Sequence, residues 1–458
     1  MNRIRSHSPT ISACHERRAR LAKRIQARTG GGVVVLSTAV EKVRNRDSDF
    51  PFRHDSDFFY LTGFDEPQAT LVMVVQKTSF QTYLFCRPKD LDREIWDGYR
   101  MGPEAAPEQL LVDAAHPNSE LDKKLPNFLA DQNAVYVRLT NQAEDEHRLQ
   151  KSMDVVRQRA RMGVNTPETF HDIEALLHEM RLFKGPEEIE TMRQAANISA
   201  QAHIRAMRSC KPGKHEYQLE AELLYEFRYR GAQSVAYNSI VAAGSNACTL
   251  HHRPGSAELL DGDLCLIDAG CELNGYASDI TRTFPINGRF SAAQRTLYDI
   301  TFAAQEAAVQ ETRPGKRFID PHDAAVRVLT QGLMDEKLIK RSEFSTLDEA
   351  IEKAAYKRFY MHRTSHWLGM DVHDVGSYRE LDDSKRHGEE RPWRMLEENM
   401  VLTIEPGLYI RPADDIPKAF WNIGIRIEDD AVVTKNGCEL ISRGVPVDPL
   451  EIESLIRA

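Results

Sequence analysis

Residues 262–286 read GDLCLIDAGCELNGYASDITRTFPI, and this stretch decides the fold of the second half of the chain. Two largely apolar runs, LCLIDAG and ASDITRTF, flank a turn that contains Asn274 and Gly275, a pattern that predicts a β-hairpin. Each run carries one acidic residue, Asp268 in the first and Asp279 in the second. Because hairpin strands lie side by side, we expect the two carboxylates to be neighbours.

Two further carboxylates lie in similar apolar surroundings. Glu405 occurs within LTIEPG and Glu428 within IRIEDD, and both segments have the pattern of buried strands. An ionised carboxylate inside a buried strand costs free energy unless it is paired or bound to a metal. Four such residues in one half of the chain therefore indicate a shared cation site, since a divalent ion relieves repulsion between like charges.

A histidine-bearing segment, residues 366–374 with the sequence HWLGMDVHD, supplies a candidate nitrogen ligand. The spacing of His366 and His373 differs from that of the helical HExxH zinc motif. It suits a turn or strand that brings one histidine to a metal and another to a substrate. The predicted ligands are Asp268, Asp279, His366, Glu405 and Glu428. Five ligands, mostly oxygen, are more than a tetrahedral zinc site can use. They suit two divalent ions that share carboxylates, as in two-metal hydrolases.

The composition excludes several classes of partner. The 458-residue chain has a formal net charge of −9, which disfavours a nucleic-acid partner. No run approaches the ~18 apolar residues that a membrane span requires. The seven cysteines are widely spaced and form no CxxC pair, so we expect a reducing, cytoplasmic compartment. The basic N-terminus, residues 1–25, lacks the apolar core of a secretory signal.

The pattern changes along the chain and predicts two domains, residues 1–180 and 181–458. In the first, the runs GGVVVLS, ATLVMVVQ, QTYLFCR and NAVYVRL alternate with helical patterns, which is typical of an α/β layer. Residues 167–231 are predicted to be almost wholly helical, with one helix beginning at Pro186. Another helix is predicted over 291–309, and later strands are predicted in VLTIEPGLYI and GIRIEDDAVVT.

Six segments resemble those of Xaa-Pro aminopeptidase, or aminopeptidase P, a family of pita-bread metallopeptidases related to prolidase. They are SDFFYLTGFDEP (56–67), HEMRLFKGPEEIE (178–190), LIDAGCELNGYASDITRTFP (266–285), SHWLGMDVHD (365–374), LTIEPGLYI (402–410) and IGIRIEDD (423–430). The resemblance covers most of the chain. It implies an α+β protein in which a pita-bread C-terminal catalytic domain follows a smaller α/β N-terminal domain. It also implies removal of the N-terminal residue from peptides with proline at the second position.

The resemblance implies a role for each predicted metal ligand. Two divalent ions, usually Mn²⁺, would be held with Asp268 bidentate to one ion and with Asp279 and Glu428 bridging both. His366 and Glu405 would complete one site each. Glu405 would also serve as general base for the water that attacks the scissile carbonyl.

The positions that match the family's substrate-handling residues are His251, His362 and His373. Their imidazoles can donate to the developing oxyanion and to substrate carbonyls. His252 is a rival for the role of His251. Arg426 should share a strand face with Glu428; it either acts in catalysis or holds the carboxylates in place.

Recognition of proline is a separate problem, because its peptide bond is a tertiary amide without an N–H donor. The site must therefore recognise the shape of the ring. Tyr237 and Trp96 resemble the apolar pocket residues of the family. The tryptophan of relatives reaches a neighbouring subunit's site, which implies a homo-oligomer, a dimer or tetramer; the alternative for Trp96 is ordinary domain packing.

Two other functions compete with this hypothesis. Prolidase shares the metal site but cleaves only dipeptides. A non-catalytic pita-bread protein would bind peptides or other partners, but such proteins usually lose metal ligands, and all five are present here. The polar stretch 378–394 follows the family pattern less closely than the rest.

Overall fold

The structure, a computed structural model, describes residues 11–139, 143–381 and 390–458. Contacts divide the chain into two compact units, Met1–Met180 and Arg181–Ala458, and we propose that these are the two predicted domains. Residues 1–10 of the basic N-terminus and residues 382–389 of the polar stretch lie outside the described residues.

The first unit is built on a mixed six-stranded sheet. The strands of this sheet are β1 (Gly32–Ser37), β4 (Thr70–Val75), β5 (Phe80–Cys86), β6 (Ala114–Pro117), β7 (Ala134–Val137) and β8 (Thr169–Asp172). A small separate hairpin is formed by β2 (Val43–Asn45) and β3 (Ser48–Asp49). The strand order in the sheet is β6-β5-β4-β1-β7-β8. Strands β1, β4, β5 and β7 confirm the four apolar runs that were predicted as strands.

Seven α-helices begin among the described residues of this unit. They are α1 (Ile11–Thr29), α2 (Ser56–Thr62), α3 (Leu91–Asp97), α4 (Gly102–Leu110), α5 (Leu121–Leu129), α6 (Ala143–Arg157) and α7 (Glu174–Leu182). Apolar residues of α5 and α6, such as Leu125 and Val156, pack with Val33, Val72 and Phe85 of the sheet into one buried cluster. The predicted α/β layer is therefore confirmed.

One predicted helix is wrong at its N-terminal end. Residues Thr169–Asp172, expected to be helical, form β8, which pairs in parallel with β7 in the register Ala134↔Thr169 to Val137↔Asp172. The local pattern fitted a helix, but the exposed edge of β7 offers backbone hydrogen bonds that a strand can use. Tertiary pairing thus outweighs the local preference.

The second unit contains short strands surrounded by longer helices. Its strands are β9 (Ser234–Val235), β10 (Ile240–Ala243), β11 (Leu264–Asp268), β12 (Cys271–Leu273), β13 (Tyr276–Ala277), β14 (Thr281–Pro285), β15 (Val401–Ile404), β16 (Gly407–Ile410), β17 (Ile423–Arg426), β18 (Asp429–Val433) and β19 (Cys438–Leu440). Its helices are α8 (Pro186–Ser209), α9 (Glu216–Tyr229), α10 (Ala292–Glu311), α11 (Asp320–Asp335), α12 (Leu347–Glu352) and α13 (Pro449–Arg457). Leu223, Val241, Ile267, Leu297 and Ile425 represent the continuous apolar core that joins them.

Two of these helices begin at the capping residues that the sequence provides. Helix α8 starts at Pro186, and the Gly185 N–H donates to Glu188 Oε2 over 2.8 Å. Helix α10 starts after Ser291, whose N–H donates to Gln294 Oε1 over 2.9 Å while its hydroxyl accepts from the Gln294 N–H. These bonds satisfy N–H groups that have no partner inside the helix.

The turn predicted at Asn274 and Gly275 is confirmed. Both residues have positive φ angles, 52° and 80°, and connect β12 to β13. The predicted strands, however, are not continuous: the first ends at Asp268, and the second is interrupted between Ala277 and Thr281. Strand β11 pairs with β14 in a register that sets Asp268 opposite Thr281, while β12 and β13 form a separate ladder.

Gly270 permits the close chain crossing between these two ladders. A Cβ atom at this position would lie 1.7 Å from the Ser278 carbonyl oxygen, closer than any side chain tolerates. The absence of a side chain lets the segment after Asp268 lie directly against the segment that precedes Asp279. Position 270 therefore requires glycine, because any side chain there would keep the segments that carry the two acids apart.

No helix within residues 11–139, 143–381 or 390–458 is both long and apolar enough to cross a bilayer.

We expect Gly270→Ala to lower the free energy of unfolding by about 3 kcal/mol, because the new methyl group must displace the backbone at Ser278. Urea unfolding measures the change. Gly437→Ala is the matched control, since a Cβ there meets nothing within 4 Å; it should stay within about 0.5 kcal/mol of the parent protein. Equal stability of the two variants would contradict the packing account.

Candidate metal centre

A cavity of about 830 Å³ in the second unit brings the predicted site residues together. The predicted residues that line it are Tyr237, His251, Asp268, Asp279, His362, His366, His373, Glu405, Arg426 and Glu428. Trp96 lies on α3 in the first unit with 83% of its surface exposed, and its role in substrate binding stays a prediction.

The acids sit at or beside strand ends. The prediction that they lie within strands is confirmed for Asp268 and wrong for the other three. Asp268 is the last residue of β11, Glu405 follows β15 directly, and Asp279 and Glu428 lie in the breaks before β14 and β18. The physical reason is that side chains inside a strand alternate between two faces, whereas the ends of several strands can point at one place. Pro406 also lacks the N–H that a continuous strand would need.

Three of the predicted ligands form a compact donor group. One ligand atom each from Asp279, His366 and Glu428 lies within 4.8 Å of the other two. His366 Nε2 is 3.4 Å from Asp279 Oδ2 and 3.5 Å from Glu405 Oε1. A single cation can therefore contact ligand atoms from several strand ends at once.

The ring of His366 is fixed for ligation through Nε2. Its Nδ1 lies 2.9 Å from the Trp367 carbonyl oxygen, which can only accept, so Nδ1 carries the proton. Burial disfavours the imidazolium, but the contacts with Asp279 and Glu405 outweigh it and raise the pKa of His366 to about 9. The two acids thus favour positive charge at this position.

Tyr237 joins the two hairpin acids. Its hydroxyl lies 2.5 Å from both Asp268 Oδ1 and Asp279 Oδ1. Burial, then the charges of the two acids, raise the pKa of the phenol well above its usual value, so the hydroxyl keeps its proton. A hydroxyl carries one proton, so Tyr237 can donate a full hydrogen bond to only one of these two oxygens.

Arg426 is tied to the same acids, as expected for its position two residues before Glu428. Its Nη2 donates to Asp268 Oδ2 over 2.7 Å, and its Nε donates to Thr281 Oγ1 over 3.2 Å. The Thr281 hydroxyl donates in turn to Glu428 Oε2 over 2.6 Å. These contacts favour the view that Arg426 holds the carboxylates in place.

Crowding of negative charge is visible in the acidities of the remaining ligands. Burial raises the pKa of Glu405 to about 7, where the neighbouring acids Asp279 and Asp268 add to the effect of burial, while His366 and Arg426 oppose it. Burial, then Asp279 and Glu405, raise the pKa of Glu428 well above its usual range. The positive charges of His366 and Arg426 therefore do not fully offset the negative charge of these acids.

The donor set fits divalent cations. It offers oxygen ligands from carboxylates, one imidazole nitrogen with the correct tautomer, and an excess of buried negative charge. A second cluster of similar composition occurs in the first unit, at Asp57, Glu174 and His178. There the protein supplies the cation itself, since Arg138 lies 2.8 Å from Asp57 Oδ2 and 3.0 Å from Glu174 Oε1.

The three remaining histidines differ in their freedom to meet a substrate. His362 uses both ring nitrogens, with Nδ1 donating to the Arg363 carbonyl over 2.7 Å and Nε2 lying 2.8 Å from the Tyr409 hydroxyl. Burial, then the charge of Arg426, lower the pKa of His362 to about 3, so its ring is neutral. His251 and His373 are exposed along the cavity.

Sequence reasoning missed two features of the site. Tyr409 accepts a hydrogen bond from Arg426 Nη1 over 2.9 Å and so links Arg426 to His362; its place in GLYI, just after Glu405, was the available signal. The aromatic wall of the cavity was also missed, because its members are far apart in the sequence. They are Phe318, Tyr378 and Trp393.

Comparison with known proteins places this geometry in context. The chain matches models of metallopeptidase family M24 over residues 190–435 and of the aminopeptidase P N-terminal domain over residues 14–136. It is 43% identical over 443 residues to Xaa-Pro aminopeptidase of Escherichia coli (strain K12), covering 96% of this chain and 97% of that protein.

Two solved structures have the same fold along nearly their whole length. Aminopeptidase PepP of Pseudomonas aeruginosa superposes with a TM-score of 0.91 and 45% identity, covering 98% of this chain and 99% of that one. A variant of Escherichia coli aminopeptidase P in complex with substrate gives a TM-score of 0.92 and 42% identity, with coverage of 98% and 99%.

We expect Mn²⁺ added to chelator-treated protein to stabilise it against thermal unfolding, by about 2.7 kcal/mol at a concentration 100 times the dissociation constant. Asp279→Asn should abolish most of this gain because it removes a ligand from the compact donor group. Calorimetry with and without Mn²⁺ measures both. Glu352→Gln, an exposed glutamate on α12, is the control and should keep the full response. Undiminished stabilisation of Asp279→Asn would contradict the site.

Proposed function

The chain belongs to metallopeptidase family M24, and from this premise we propose that it is a Xaa-Pro aminopeptidase. It hydrolyses the peptide bond before a proline at the second position and releases the N-terminal residue. The observation that carries the proposal is the convergence of Asp279, His366 and Glu428 within 4.8 Å in one large cavity. The protein is α+β, with a pita-bread catalytic domain after an α/β N-terminal domain.

Divalent metal ions are the cofactor. We assign two ions, with Mn²⁺ as the metal, to a ligand set rich in carboxylate oxygens, the donors that this ion accepts readily. The set is Asp268, Asp279, His366, Glu405 and Glu428. When bound, such ions supply Lewis acidity, which polarises a carbonyl group and lowers the pKa of water.

Glu405 is assigned the transfer of the water proton. Its carboxylate borders the cavity, with Oε1 3.5 Å from His366 Nε2 and Oε2 3.7 Å from His362 Nδ1. A carboxylate at the reacting centre can accept a proton from water and deliver it to the leaving nitrogen. Arg426 orients the adjacent Asp268 through its 2.7 Å contact.

The histidines divide the handling of substrate between them. His251 and His373 are exposed along the cavity, which supports their assignment as donors to the developing oxyanion and to substrate carbonyls. His362 keeps its assignment to the site, but its engaged nitrogens suit an indirect part, in which it lines the cavity and holds Tyr409.

Recognition of proline needs apolar surface and no acceptor for an N–H group. Phe318 and Tyr378 pack with ring centroids 4.8 Å apart, and Phe318 and Trp393 lie 6.3 Å apart. This wall supports binding of a peptide with a ring-shaped apolar residue near the scissile bond. A cavity of about 830 Å³ also supports substrates longer than a dipeptide.

Oligomeric state and location form part of the proposal. Helix α3 has no buried residue in the described chain, and Leu91, Ile95 and Trp96 are 76%, 79% and 83% exposed. An apolar face of this kind supports burial by a second copy in a dimer or tetramer.

All seven cysteines are free thiols, which supports a cytoplasmic location.

We expect Glu405→Gln to lower kcat by at least ~100-fold, because an amide cannot accept the water proton. The fold should be retained, since the amide occupies the same volume. Release of the first residue from an Xaa-Pro-Yaa-Zaa peptide measures kcat, and circular dichroism checks the fold. Glu352→Gln is again the control. Near-normal turnover by Glu405→Gln would remove this residue from the mechanism.

Substrate length separates the proposed activity from that of a dipeptidase. We expect cleavage of Xaa-Pro-Yaa-Zaa and little or no cleavage of the dipeptide Xaa-Pro under the same conditions. The rate of release of the N-terminal amino acid from each peptide, with Mn²⁺ present, is the measurement. Activity confined to the dipeptide would identify a prolidase instead.

A further inference from the structure

A buried acid outside the cavity, Glu216, has no part in the chemistry described so far. It is the first residue of α9, follows the N-cap residue His215, and is fully buried. A glutamate in the first turn of a helix usually faces solvent, where it interacts with the helix dipole. A fully buried carboxylate requires compensation for its lost hydration.

That compensation comes from donors close to the catalytic cavity. Glu216 Oε1 accepts from the Ala243 N–H over 2.9 Å and from Asn246 Nδ2 over 2.8 Å. Glu216 Oε2 lies 2.8 Å from His252 Nε2 and accepts from the Gly255 N–H over 3.0 Å. Each oxygen therefore has two partners, and all are nitrogen donors when His252 carries its proton on Nε2.

These partners hold both ends of one segment. Ala243 ends β10 and Asn246 follows it closely, whereas His252 comes directly after His251 and Gly255 lies three residues beyond His252. Residues 250–253 of this stretch line the cavity. The backbone repeats the connection, because the Glu216 and Tyr217 N–H groups donate to the carbonyls of Ala257 and Gly255. The Glu216 carboxylate thus ties together residues on both sides of His251.

We propose that Glu216 is a positioning residue for the peptidase reaction and that it acts through His251. This inference rests on the proposed function. Glu216 does not border the cavity, so it acts on the substrate only through the segment that it holds. It also gives His252 a role, as a partner of Glu216, that separates it from its neighbour His251.

The chemistry of the contact requires a carboxylate. Replacement by glutamine keeps the size but turns one acceptor into an NH₂ group that faces two donors. Replacement by aspartate keeps the charge but shortens the side chain, so it cannot reach both ends of the segment. Either change should let His251 shift, and misplacement by about 1 Å can cost 100-fold in rate.

The test is a double-mutant cycle between Glu216→Gln and His251→Ala, with kcat/KM for an Xaa-Pro-Yaa-Zaa peptide as the measurement. We expect Glu216→Gln alone to lower kcat/KM by about 10- to 100-fold, with bound Mn²⁺ unchanged. In the His251→Ala background the same change should have less than a twofold effect. Glu220→Gln, on the same helix, is the matched control and should resemble the parent protein.

Three results would overturn the proposal: normal kcat/KM in Glu216→Gln, a full additional loss on top of His251→Ala, or loss of bound Mn²⁺ together with activity. If Glu216→Gln does not fold, Asn246→Ala provides a milder test, because it removes one of the four hydrogen-bond partners of Glu216. It should lower kcat/KM severalfold in the parent and not in His251→Ala. An inactive parent protein would instead count against the proposed function.

Discussion

Repulsion among buried carboxylates is the constraint on which the second unit depends. Two unit negative charges ~4 Å apart repel by about 4 kcal/mol at an effective dielectric constant of 20. Here Asp268, Asp279, Glu405 and Glu428 border one cavity, with one imidazole and one guanidinium in contact. Raised pKa values at Glu405 and Glu428 express the remaining imbalance. Divalent cations remove this imbalance, and the same cations provide the chemistry of a peptidase.

The fold serves this constraint by ending strands early. Continuous strands would send alternate side chains to opposite faces, so the chain instead breaks β11, β15 and β17 at or next to the acidic residues. Gly270 allows the two hairpin segments to cross in close contact. Outer contacts then orient each group: Trp367 fixes the tautomer of His366, Arg426 holds Asp268, and Glu216 holds the segment with His251. The geometry of the site thus depends on groups that hold other residues in place.

The sequence predicted the features that depend on local chemistry. Pro186 located the start of α8, the helical pattern over 291–309 located α10, the Asn274–Gly275 pair located the turn, and acids in apolar surroundings located the cavity. It did not predict features that depend on tertiary partners. Strand β8 forms because β7 offers an edge, and the acids lie at strand ends because they must converge. Sequence reasoning singled out neither the buried carboxylate of Glu216 nor the place of the Tyr237 hydroxyl between two carboxylates.

Anomalous diffraction from crystals grown with Mn²⁺ tests whether the buried acids share a pair of cations. We expect two anomalous peaks within bonding distance of the carboxylates of Asp279 and Glu428, with His366 Nε2 bonded to one of them. We also expect that the Tyr237 hydroxyl no longer bridges Asp268 and Asp279, since the cations take over the neutralisation of these acids. Crystals that contain Mn²⁺ at saturating concentration, yet show no peak near either carboxylate, would rule out the shared cation site.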